Sequence, residues 1–127
     1  MLRFGIFFGL ALASVTPSFG EGMRISMDCR VSKSCAGDGK CTGQSDTILF
    51  TLAPQQLDRH GVGTYEITYA NVKEQAWADA DFTYRWKIGD AVHRLLVTGE
   101  ETMLWVTRDL GEPISSITRF LSCKVTF

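Results

Sequence analysis

The side chains with most scope for chemistry here are two histidines, His60 and His93, the closely spaced acids Asp79 and Asp81, and four cysteines. His60 lies in Asp58-Arg59-His60-Gly61-Val62-Gly63, a turn-forming cluster that points to a solvated side chain. His93 shares its alternation phase with Leu95 and Val97, the mark of a partly buried, hydrogen-bonded ring. Neither has a carboxylate at ligand spacing, and a metal site needs a fixed ligand set, so no metal is expected. Asp79 and Asp81 would share a face if they lay on a strand, the placement an acid–base pair requires. Their polar surroundings instead read as a loop with solvated charges, and the neighbours Glu100 and Glu101 read as turn residues. There is no Gly-x-Ser-x-Gly elbow. Gly37 and Gly39 lack the following helix and Lys-Ser/Thr pair of a phosphate loop. No catalytic residue and no cofactor is expected, and the chain reads as non-enzymatic.

The aromatic residues offer more. Tyr65, Tyr69, Tyr84 and Trp86 occupy the apolar phases of their segments and belong to a core. Trp77 stands apart in Gln75-Ala76-Trp77-Ala78-Asp79-Ala80-Asp81, a candidate loop carrying both acids. An exposed Trp beside carboxylates suits recognition of a protein or sugar partner. The competing role is a Trp that plugs one end of the fold. Trp77, Asp79 and Asp81 are the candidate binding residues.

The N-terminal segment and the cysteines together point to an oxidising compartment. Residues Met1 to Gly20 carry the features of a secretory signal peptide: Arg3, an almost unbroken apolar run from Phe4 to Val15, the helix breaker Pro17, and small residues at Ser18 and Gly20 before Glu21. The apolar run is well short of the roughly 20 residues that cross a bilayer. Removing residues 1–20 leaves a single domain, 21–127, of 107 residues, and the loss of Arg3 takes the net charge from −1 to −2. Such a balance argues against a nucleic-acid binder, which shows a basic excess. An exported small domain with an even number of cysteines points to disulfides and a periplasmic or secreted location. Cys29 and Cys123 lie in alternating segments, Met23–Val31 and Leu121–Phe127, and both fall on the inward phase. Pairing them ties the first strand to the last. Cys35 and Cys41 flank Ala36-Gly37-Asp38-Gly39-Lys40 and are placed to staple a local hairpin.

The elements that position these residues are strands. Alternation marks Thr47–Leu52, Thr64–Ala70, Phe82–Ile88, Ala91–Thr98 and Thr102–Thr107, with turn residues between them. In the third of these, Phe82, Tyr84, Trp86 and Ile88 face one way. The stretch Asn71–Asp81 carries Val72, Ala76 and Ala80 at helical spacing and reads as a short helix or ordered loop. Ile114–Phe127 reads as interrupted before its final strand. The expected fold is all-β, one antiparallel barrel or sandwich of about seven or eight strands joined by hairpins.

The run Tyr84-Arg85-Trp86-Lys87-Ile88-Gly89-Asp90, the apolar strand through Leu95 and Leu96, and a Cys near the C-terminus together resemble the small periplasmic inhibitors of C-type lysozyme of Gram-negative bacteria. The resemblance covers about a third of the mature chain. It implies an exported, disulfide-stapled antiparallel β-barrel. The family's Ser-Gly-rich inhibitory loop should precede Tyr84, where this chain has Trp77-Ala78-Asp79-Ala80-Asp81-Phe82, so no inhibitory residue carries over. The expected function is that of an exported binding module. The alternatives are a periplasmic lysozyme inhibitor, a small hydrolase built around His93, or a structural envelope component.

Overall fold

The computed structural model describes residues 23–127, so the segment 1–20 lies outside the described residues. Nine strands run in sequence order: β1 (Ile25–Ala36), β2 (Cys41–Gly43), β3 (Thr47–Leu57), β4 (Gly63–Tyr69), β5 (Val72–Ala78), β6 (Thr83–Ile88), β7 (Ala91–Val97), β8 (Thr102–Asp109) and β9 (Ser115–Thr126). No helix occurs among the described residues. Each strand from β3 to β9 pairs antiparallel with its sequence neighbour, β1 pairs with β3, and a β1–β9 ladder closes the sheet into a barrel. The short β2 hangs from the far end of β1 as a hairpin arm.

Closure decides the core. On a closed antiparallel sheet alternate residues point inward, and here they are Met27, Cys29, Phe50, Leu52, Ile67, Trp86, Leu95, Met103 and Leu121, among others, all buried. Cys29 and Cys123 are directly opposed in the β1–β9 ladder and joined by a disulfide, and Cys35–Cys41 staples the β1–β2 hairpin. The first link closes a stretch of 94 residues. By chain entropy such a link is worth about 4–5 kcal/mol. Strand phase points to the first pairing, and the turn-forming residues between Cys35 and Cys41 point to the second.

Two irregularities tune the wall. A bulge between Val31 and Lys33 flips the phase of β1, which puts Lys33 outside, its Nζ 4.4 Å from the centre of the Phe120 ring. A second, between Pro54 and Gln56, lies beyond the last β1–β3 pair, Ile25↔Leu52, where a residue without an N–H breaks no ladder. Just across from it, a Cβ on Gly63 would collide with the Gln56 carbonyl, and its φ is 149°, so only glycine fits.

Two expectations are corrected. The stretch Asn71–Asp81 is neither helix nor free loop: most of it is β5, which pairs with β4 along its whole length. Ile114–Phe127 is not interrupted, since β9 runs unbroken from Ser115 to Thr126.

The barrel has two unlike ends. One carries the turns 58–62, 79–82 and 98–101 together with Ile25 and Phe127. The other carries the two-residue turns Ala70-Asn71 and Gly89-Asp90, the 110–114 connection and the β1–β2 hairpin. Residues Ala70 and Gly89 both have positive φ, 47° and 56°, as turns of this length require at their first position.

Candidate functional site

The β5–β6 turn links the outer wall to the first of these ends. Trp77, on β5, faces outward between its cross-strand neighbours Thr64 and Arg85 and is 55% exposed. It does not plug the barrel, and it sits on a strand instead of in the expected loop. The turn itself is held by two backbone bonds: Asp79 N–H donates to the Thr83 carbonyl (3.0 Å) and Phe82 N–H donates to the Asp79 carbonyl (3.2 Å). Arg85 Nη2 donates to Asp79 Oδ1 at 3.3 Å, in an exposed ion pair that anchors the turn to β6. Asp81 stands free in solvent at the apex. Asp79 and Asp81 thus lie in the turn at the lip of the barrel, with Trp77 next to it on the outer face of β5.

The alternation predicts Phe82 inside with Tyr84 and Trp86, but it stands exposed at the mouth of the barrel. Its φ is 61° and its ring is 65% exposed. The left-handed region is unfavourable for a bulky side chain, so the turn holds Phe82 outward at a conformational cost. Sequence phase missed this because β6 begins at Thr83, and the register Ala78↔Tyr84 puts Phe82 in the turn.

Behind the lip lies an apolar cavity of about 690 Å³, open to solvent. Met27, Tyr84 and Met103 form its floor. Ile25, Val97, Val125, Phe82 and Phe127 form its walls, and the Phe127 ring is 74% exposed. Glu100, Glu101 and Lys124 stand at the rim. Tyr84 places a phenol in the floor, and burial, with Tyr65 beside it, pushes its pKa up to about 12. It stays neutral and able to donate a hydrogen bond at any physiological pH. The rim residues Glu100 and Glu101 carried no sign of this role beyond being polar turn residues.

The histidines do not meet. His60 is exposed in the β3–β4 turn, where Asp58 Oδ1 accepts from the His60 and Val62 N–H groups. Those bonds, Val62 first, hold the Asp58 carboxyl below its ordinary range. His93 is buried at the opposite end, where its Nδ1 accepts from Trp105 Nε1 at 3.2 Å and lies 3.0 Å from Thr107 Oγ1. Its ring stacks on Trp86, 5.1 Å away and 6° from parallel. Among the described residues no group of three or more His, Cys, Asp or Glu is placed to hold a metal ion. No helix there is long and apolar enough to cross a membrane. Comparison with protein-family profiles, with curated proteins and with solved structures returns no match.

Proposed function

We propose that this chain is an exported, non-enzymatic binding module that takes a protein partner at the open end of the barrel. The observation that carries the reading is the acid-rimmed apolar cavity whose lip holds Phe82 outward at positive φ. Strained exposed residues concentrate where a ligand is clamped. An exposed Trp and Phe beside a pocket have the make-up of an interface anchor. Glu100 and Glu101 outnumber Lys124 in the cavity lining, so the fitting partner presents an apolar side chain flanked by basic residues. His93 uses its Nδ1 on Trp105 and Thr107, which supports a structural role for that ring.

The test is affinity capture from periplasmic extract with the mature protein, beside Trp77→Ala and Phe82→Ala. A partner held by the native chain and lost by both variants, with melting temperatures unchanged, supports the reading. Equal capture by all three overturns it. A second reading rests on the same acids, which complement the basic cleft of a C-type lysozyme. In that case near-stoichiometric protein blocks lysozyme lysis of cell walls; undiminished lysis ends it.

A further inference from the structure

The end of the barrel opposite the cavity contains a guanidinium that no carboxylate among the described residues reaches at ion-pair distance. Arg119 lies on the inward phase of β9, directly across the ladder from Trp105 of β8. Its guanidinium carbon sits 4.3 Å from the centre of the Trp105 ring, a cation–π stack that occupies one face of the fork. Arg119 Nη1 donates to Thr107 Oγ1 at 3.2 Å. The Thr107 hydroxyl in turn lies against His93 Nδ1, which also receives Trp105 Nε1–H, so the side chain is held by a continuous network. Arg119 is half-buried, yet the ion pairs among the described residues join Lys73 to Glu66 and Arg85 to Asp79, and none reaches it. A guanidinium taken partly out of water is normally paired.

We propose that this end of the barrel binds a small carboxylate, with Arg119 as its anchor. The stack on Trp105 and the bond to Thr107 are the only stacking and hydrogen-bond contacts of the guanidinium among the described residues, and its remaining N–H groups match a planar carboxylate in a two-bond fork. Tyr69 adds a second donor. Its Oη accepts from Trp86 Nε1 at 3.1 Å, which leaves the hydroxyl proton for a ligand, and its ring lies 5.4 Å from that of Trp105. Access is built into the wall. Strands β5 and β6 pair only at Trp77↔Arg85 and Ala78↔Tyr84, near the far end, and part toward this one. Glu74, on the inward phase of β5, adds a negative charge near Tyr69, which weighs against a multiply charged anion. The ligand is therefore small and singly charged.

The test is titration of the 15N-labelled mature protein with sodium acetate and sodium benzoate, with sodium chloride and sodium phosphate as controls at matched ionic strength. The Trp105 indole and Arg119 Nε–H resonances report the site. Both carboxylates should produce a saturable shift there, with phosphate roughly tenfold weaker and chloride inert, and Arg119→Lys should weaken acetate by roughly tenfold. Absence of a saturable shift in the native chain overturns the proposal. So does an equal response to all four salts, or a folded Arg119→Lys protein that responds as the native one does.

Discussion

The two ends of the barrel solve the same problem in opposite ways. A closed sheet leaves two mouths, and each must be filled or left as a cavity. At the plugged end, Phe50, Tyr69, Trp86, His93 and Trp105 fill the mouth with rings 5–6.5 Å apart in mostly edge-on or tilted contacts, and Arg119 lies over them. At the open end, Phe82 and Phe127 stand mostly exposed at the mouth, while Met27, Tyr84 and Met103 form a floor beneath an empty space. The aromatic residues at the first end stabilise the fold; those at the second are held where the fold gains little from them. Large exposed rings with no packing role are the better evidence of function.

The sharpest test of that contrast is truncation. Trp86→Ala removes a fully buried indole and its bond to Tyr69, and should cost about 3–5 kcal/mol in a denaturant titration. Trp77→Ala, on the outer wall, should stay within roughly 1 kcal/mol of the native chain. Equal losses at the two sites would erase the distinction.

Titration separates the ends by pH. Tyr84, in the cavity floor, has a folded pKa of about 12 against an ordinary 10.0. A raised value means that its contribution is complete below about pH 10 and is lost as pH climbs through about 12, an effect of roughly 3 kcal/mol. Tyr84→Phe should reduce that alkaline fall in melting temperature, leaving the part due to Tyr65 and Tyr69, whose phenols burial also pushes up. His93, in the plug, is shifted the other way, downward, by burial and then by Arg119. The unfolded chain takes up the proton more readily, so this stability is present above about pH 6.5 and declines as pH drops toward the lowered folded value. His93→Gln should remove the part of the acid-side slope that begins near pH 6.5, leaving the more acidic part due to Asp58 and the alkaline slope.

The smallest effect runs in the stabilising direction. Phe82→Gly relieves a φ of 61° and gives up a ring that is mostly in water. It should raise stability by about 1 kcal/mol while abolishing partner capture. A loss of stability would place Phe82 in the core after all.

The plugged and open ends also differ in how well they could be read from the sequence. Strand phase placed Tyr84, Trp86, Leu95, Cys29 and Cys123 inside, and the disulfide partners followed from it. The readings failed at β5 and at the start of β9. On β5 the inward residues are Val72, Glu74, Ala76 and Ala78, so a carboxylate and two small side chains blur the alternation. On β9 the inward Arg119 does the same. Hydrophobic patterning assumes an apolar interior, and it fails where charge points inward. At the lip the difficulty was different. The position of Phe82 depends on where β6 takes up its register with β5, and alternation alone does not set that.

The three-residue arm β2 has a consequence for the behaviour of this protein in concentrated solution. An antiparallel sheet that ends in a long bare strand invites other molecules to add to it. Here β1 and β9 bond to each other, and besides the short seam where β5 and β6 part, what remains outermost is Cys41–Gly43, pinned back by the Cys35–Cys41 link and ending in glycine. A border that short gives a neighbouring chain little to zip onto, so the folded protein should remain dispersed at high concentration and become prone to self-association once that link is reduced.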